Sequence, residues 1–292
     1  MGSYAAFGMT IDSTIPLRLP PSPAGCLFDV LIRCESTSEC PELPYRIESV
    51  TYGVQDGCMR IRVPKAADFL VRDGREILVA PVEGVSDAVI SSLITGLVLG
   101  VMAHGRMRLT LHGSAVERGG AAFVLLGGRG SGKSTAAAAL CRKGYRMLCD
   151  DMIPIGTDGR VWPGVPRPRL KADSYRQLFG DPALAADLWD GVDKYQLELA
   201  WSSEAAAPRA VFLLEPSACP ACEAERISGW KKASELAPHI QRLEGLDDPA
   251  DVLRKTVEWA AGISVFRIRR PTDGFRIDEL LDCIESRSEE VA

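Results

Sequence analysis

Gly127-Gly128-Arg129-Gly130-Ser131-Gly132-Lys133-Ser134 satisfies the spacing GxxxxGK[ST], and its reading decides the fold. Glycines at these spacings let the backbone turn with its N–H groups facing inward, where no Cβ obstructs an anion. A helix opening directly after the loop aims its positive end at the same anion. The neighbouring sequence supplies that context. Apolar Ala121 to Leu126 reads as a strand, and the Ala-rich stretch from Lys133 to Arg142, stopped by Gly144, reads as a helix. Lys133 is then placed to neutralise the β- and γ-phosphates of a nucleotide, and the Ser134 hydroxyl to ligate Mg2+. A Gly-rich turn with a chance lysine would lack the strand and helix on either side. The expected ligands are ATP and Mg2+, held by Gly127 through Ser134 with Thr135 next in line.

Working outward, Met107 to Val116 reads as a strand joined to Ala121 to Leu126 by the tight turn Glu117-Arg118-Gly119-Gly120. Tyr145 to Cys149 reads as the next strand, ending in Cys149-Asp150-Asp151-Met152, seventeen residues after Lys133. Such a strand is expected beside the one feeding the loop, which brings the two carboxylates to the phosphates. A carboxylate pair there can divide two tasks, holding Mg2+ and accepting the proton of an attacking hydroxyl. Adjacent carboxylates also repel, which raises one pKa and suits a base. Strand-like Ala210 to Glu215 and Ser264 to Arg269 alternate with helical Ala250 to Ala261 and Arg276 to Arg287. The fold class read from this order is α/β, a mixed sheet with flanking helices.

Ahead of this core the pattern is different. Leu27 to Arg33, Ile47 to Tyr52, Met59 to Val63, Phe69 to Arg72 and Glu76 to Ala80 read as short strands, expected to pair antiparallel. Pro16, Pro20, Pro21 and Pro23 exclude a helix before them. Ser86-Asp87 offers an N-cap for a helix to about His104. The domains expected are a small β-rich one over 1–85, a connecting helix over 86–106, and the catalytic α/β domain over 107–292.

At 292 residues, 46% hydrophobic and 25% charged, the chain has the composition of a globular protein able to bury a sizeable core. A net charge of -5 gives no general electrostatic reason to bind nucleic acid or an anionic membrane. The longest uncharged apolar run, Ala88 to His104, falls short of the roughly 20 residues that span a bilayer. Nine scattered cysteines and an N-terminus without a secretory pattern point to a cytoplasmic protein with reduced thiols. Cys219-Pro220-Ala221-Cys222 is a lone CxxC without the second pair that zinc requires.

Leu111-His112-Gly113-Ser114-Ala115-Val116, the hairpin, the phosphate loop and Asp150-Asp151 resemble the catalytic core of HPr kinases and their smaller relatives in lasso-peptide and other ribosomal-peptide pathways. Tyr4 to Ile11, Trp162 to Leu170 and Asp193-Lys194-Tyr195 are similar to segments of that relative group. The resemblance implies an ATP- and Mg2+-dependent serine kinase acting on a peptide or small protein, in particular a lasso-type precursor. HPr, a small molecule such as free serine, and a nucleotide switch without transfer are the alternatives. Carried over by position, it makes Asp150 the general base, Asp151 an assistant to metal or substrate with Ser134, and His112 and Arg169 neighbours of the phosphates. HPr kinases assemble as hexamers, so a homo-oligomer is also implied.

Two departures separate the chain from HPr kinases proper. Thr135 follows the GKS triplet where they carry glutamate, and Pro163 to Leu170 occupies the region of their second signature. Both weaken HPr as acceptor and the reverse, phosphorylase reaction. Arginines 167, 169, 267, 269 and 270, with Lys171 and Lys194, are the remaining cations suited to an anionic substrate.

Overall fold

In the computed structural model, residues 2–22, 27–35, 42–47, 49–180 and 194–290 are described, and they form two units. The first contains Met1–Arg106 and Arg242–Asp247, the second Met107–Gln241 and Asp248–Ala292.

The first unit is built on eight strands: β1 (Gly2–Ala6), β2 (Met9–Ser13), β3 (Val30–Cys34), β4 (Tyr45–Ile47), β5 (Val50–Gln55), β6 (Cys58–Val63), β7 (Ala67–Arg72) and β8 (Glu76–Pro81). They lie in one sheet in the order β1-β2-β3-β8-β7-β6-β5-β4. The sheet is mixed rather than antiparallel throughout, because β3 runs parallel to both β2 and β8. The long return over 14–29 gives the chain room to re-enter beside β2 in the same direction, which a tight turn cannot do. β1 and β2 form a hairpin over Phe7 and Gly8, both left-handed (φ 55° and 68°), with the Phe7 side chain buried. The prolines fall after it and leave it intact.

Ser86 accepts from the Val89 amide at 3.4 Å and starts a continuous helical stretch. It comprises α1 (Asp87–Leu93), a π-helical turn (Ile94–Val98) and α2 (Leu99–Arg106). At 20 residues it is long and apolar enough to cross a membrane by length and composition. Ile90, Ile94, Val98, Leu99, Met102 and Ala103 are nevertheless buried in the protein, as in a core helix. Residues Arg242–Asp247 join this unit through Tyr52, which donates to the Glu244 carbonyl at 3.0 Å, and through His104, whose Nε2 lies 2.8 Å from the Asp247 carboxylate.

The second unit carries β9 (Leu109–Arg118), β10 (Ala121–Leu126), α3 (Lys133–Arg142), β11 (Arg146–Ile155), β12 (Arg169–Lys171), α4 (Ala172–Phe179) and β13 (Lys194–Gln196). These are followed by β14 (Ala207–Ser217), β15 (Glu223–Ile227), α5 (Lys231–Leu236), α6 (Pro249–Ala261), β16 (Ser264–Pro271) and α7 (Ile277–Glu289). Six strands form a mixed sheet in the order β11-β9-β10-β14-β16-β15, and β12 and β13 pair separately as a ribbon. Alternate residues of each strand feed opposite faces. Phe212 and Phe266 pack with Ala136 to Leu140 of α3 and with Leu280, Leu281 and Ile284 of α7. Val211, Leu213 and Val265 pack on the other face with Leu236, Trp259 and Ala260. The result is a three-layer α/β arrangement whose parallel centre, β10-β14-β16, points its C-terminal ends at one edge.

Candidate functional site

The phosphate loop leaves the C-terminal end of β10 and closes into the N-terminus of α3. Gly127 has φ 146°, and a Cβ there would sit 2.5 Å from the Leu214 carbonyl oxygen at the neighbouring strand end, so the close approach excludes a side chain. Gly132 caps α3 at φ 97° with no side-chain bond, leaving the first-turn N–H groups free to meet an anion. Lys133 is nearly buried and donates to the carbonyls of Gly127 at 2.8 Å and Gly128 at 3.1 Å. Burial holds its pKa below the usual lysine range, with Asp150 and Asp151 opposing that shift. The Ser131 hydroxyl is buried in the loop without a hydrogen-bond partner.

Strand order revises how the acidic pair reaches the loop. β11 does not lie beside β10. β9 stands between them, antiparallel to both, so β10 and β11 run the same way. Asp150 is opposite Ser114, and Ser114 opposite Leu125, which sets Asp150 in the row just before the loop begins. β11 also continues through the pair to Ile155 rather than ending there. The segment from Trp162 to Leu170 runs along its free side, with the Gly164 amide bonded to the Leu148 carbonyl and the Asp150 amide to the Val165 carbonyl. That path delivers Arg169 to Asp151.

The two carboxylates have different partners. Asp150 is 9% exposed and accepts from Ser114 Oγ at 2.5 Å and from Ser134 Oγ at 2.9 and 3.1 Å. Burial pushes its pKa up, and the two hydroxyls pull against that. Asp151 adopts φ 72°, a left-handed conformation costly for a residue with a side chain, and its side chain is 52% exposed. Its carboxylate lies 3.3 Å from His112 Nδ1 and 3.0 Å from an Arg169 nitrogen, while His112 Nδ1 is also 3.0 Å from the Asp151 carbonyl oxygen. The bond to His112 holds the Asp151 pKa down, helped by Arg169 and Lys194, and in return Asp151 raises that of His112.

Every residue expected at the site is thus gathered at one sheet edge, but Ser134 is joined to Asp150 and not to Asp151 as expected. Arg270, read from sequence only as one of a run of cations, reaches the loop from the end of β16, where its Nε donates to the Ser131 carbonyl at 2.8 Å. Arg267 is instead engaged by Glu215, Glu225 and Glu235, and Arg269 by Glu225. Arg167 pairs with Glu198, and Asp193 lies outside the described residues. Cys219 and Cys222 are free thiols, with that of Cys222 pushed up to about 11, chiefly by burial. Among the described residues no three His, Cys, Asp or Glu side chains gather as a metal site.

A cavity of about 680 Å³ opens from the loop, bounded by Gly132 to Thr135, the ribbon residues Arg169 to Lys171, and Phe275 and Ile277 beyond β16. Its charged lining is lysine and arginine alone, without aspartate or glutamate among the described residues.

No family model matches the chain, and no curated protein does. Among solved structures, the Hpr(Ser) kinase/phosphatase from Coxiella burnetii aligns at 15% identity over 62% of this chain and 98% of its own, with a TM-score of 0.28.

Proposed function

We propose that this chain transfers the γ-phosphoryl group of ATP to a serine hydroxyl, using Mg2+. The observation that carries the reading is the split of Asp150 and Asp151 at the mouth of a complete phosphate loop. One carboxylate is bonded to the loop serine and the other is open to an acceptor.

The residues fit the ligands. Uncapped amides of α3, Lys133 and the unpartnered Ser131 hydroxyl suit phosphate oxygens. Ser134 and Asp150 present hard oxygen donors side by side, the kind of partial set that Mg2+ accepts when phosphates and water complete it. When bound, Mg2+ would neutralise charge on the transferring group. This gives the pair the reverse of the roles expected from sequence. Asp150, walled in by two hydroxyls, orients Ser134 and the metal, and Asp151 takes the proton of the acceptor hydroxyl. His112 and Arg169 fix the Asp151 carboxylate, so its geometry is set before the acceptor arrives. Arg270, bonded to the Ser131 carbonyl, holds the loop open towards the phosphates.

Further, the acceptor is read as a serine of a ribosomal, lasso-type precursor peptide. The support is the resemblance of Tyr4 to Ile11 and Trp162 to Leu170, together with Thr135 in place of the glutamate found in HPr kinases. A pure nucleotide switch is disfavoured because it has no use for an exposed carboxylate held by two cations. The test is mass spectrometry of serine peptides, HPr and free serine after incubation with enzyme, ATP and Mg2+. One phosphate gained on a peptide, and lost with Lys133→Ala, supports the reading. Gain on HPr or free serine alone removes the peptide assignment, and gain on no acceptor removes the kinase.

A further inference from the structure

Lys171 and Lys194 stand directly opposite each other across the β12–β13 ribbon. Like charges in that register repel and cost stability. Neither lysine has an ion pair or side-chain hydrogen bond among the described residues, although carboxylates elsewhere on the surface pair readily with arginines. Both line the cavity that opens from the phosphate loop. Lys171 is also the residue from which α4 starts, and no side chain caps that helix N-terminus. The partial positive charge of the first turn therefore adds to the two ammonium groups. Ser174 of that turn lines the same cavity. A pair of cations and a helix N-terminus converge there, and among the described residues no carboxylate lines the cavity beside them.

The ribbon borders the cavity that opens from the phosphate loop and also reaches the acceptor side of the site. Arg169, on the same strand as Lys171, donates to Asp151, and Lys194 is close enough to lower the pKa of Asp151. The nucleotide already has Lys133 and the α3 amides, and its Mg2+ would offset much of its remaining charge. Arg169 is committed to Asp151 and is not free to bind an acceptor carboxylate. We infer that Lys171 and Lys194, with the N-terminus of α4, form a subsite for an anionic group carried by the acceptor near its serine. The inference rests on the phosphotransferase reading above. The shared chemistry is an anion, supplied by a terminal carboxylate, an acidic side chain or a phosphate ester.

One serine peptide made in four forms tests this: with a free C-terminal carboxylate, as the neutral amide, as the amide with a flanking glutamate, and as the amide with a flanking phosphothreonine. Binding is measured by calorimetry on the full chain with a non-hydrolysable ATP analogue present, and transfer from ATP by mass spectrometry. At least one anionic form should bind about tenfold or more tightly than the neutral amide. Lys171→Gln and Lys194→Gln should each bring that form down towards the neutral peptide, leaving nucleotide affinity within about twofold. The preferred form identifies the anion's source. No preference for any anionic form, a preference that survives both substitutions, or a loss of nucleotide affinity in their place would overturn the subsite. A preference with no phosphate transferred to any form would instead overturn the kinase reading and leave the subsite standing.

Discussion

Two regions meet at the peptide bond between Asp150 and Asp151. On the inner side, Asp150 is enclosed by the hydroxyls of Ser114 and Ser134, and the loop, α3 and Lys133 lie beyond. On the outer side, Asp151 is half exposed and held between His112 and Arg169. An extended strand would send the two side chains to opposite faces of the sheet, and the left-handed backbone of Asp151 departs from that alternation. Burial pushes the pKa of Asp150 up, whereas the bond to His112 holds that of Asp151 down. Two residues of identical type thus become a buried orienting group and an exposed reactive one, and the difference between them is conformational.

The largest effect should come from the outer side. Asp151→Asn keeps shape and hydrogen bonding but cannot accept a proton, so transfer should fall by roughly 10²–10⁴-fold. Nucleotide affinity should change little, as measured by calorimetry with the ATP analogue. If Asp150→Asn gives this pattern and Asp151→Asn does not, the assignment of the two regions is reversed.

Next in size is Lys133→Ala. Removing the lysine takes away charge stabilisation of about 3–4 kcal/mol, which is two to three decades in rate. The fold should survive, as followed by thermal melts, because Lys133 bonds only to loop carbonyls. Near-normal ATP turnover by this variant would show that the inner region is not the phosphate site.

Asp150→Asn sharpens the contrast through stability. Burial raises the folded pKa of Asp150, so the unfolded chain releases that proton first. Stability is then lost as pH rises from the ordinary carboxylate range through the folded pKa, and the cost is complete above it. Asparagine has no proton to release. The variant should therefore melt higher than the parent at pH 7.5, by about 2–4 °C for each kcal/mol recovered, with the advantage vanishing below the ordinary carboxylate range. Its Mg2+ requirement should meanwhile rise by roughly 10–100-fold, because Ser134 loses its charged partner. A variant less stable than the parent at neutral pH would mean that Asp150 carries no such burden.

Much of the inner region is legible in the sequence. Each loop residue is dictated by local backbone needs, and α3 spans Lys133–Arg142, as its Ala-rich stretch implies. The acidic pair is visible too, but its division is not, because it depends on a single φ and on β9 intervening between β10 and β11. Non-local pairing hides other features for the same reason. The parallel seating of β3 between β2 and β8, the reach of Arg270 to Ser131 and the Lys171–Lys194 register join residues whose sequence neighbours carry no trace of the partner. Arg267 and Arg269 teach the converse: a run of cations looks like a binding face until the glutamates of β14, β15 and α5 are placed around it.

The smallest effect lies between His112 and Asp151. Asp151 raises the His112 pKa, so the ion pair is fully formed below the ordinary histidine range and is lost as pH rises through the folded value. Both side chains are about half exposed, and solvent screening keeps such a pair weak, worth only a few-fold in any equilibrium or rate it controls. Neutral imidazole with its proton on Nδ1 can still donate to Asp151, which limits the loss further. The kcat/KM of the parent enzyme should accordingly decline only about two- to fivefold as pH rises through the His112 pKa. His112→Gln retains a donor but cannot titrate, so its profile over that interval should be flat, at a level near the alkaline limit of the parent. A parent profile without this step, or a variant that keeps it, would show that the charge on His112 plays no part in orienting Asp151. The outer region would then depend on Arg169 alone, and Arg169→Gln becomes the substitution that should reproduce most of the loss.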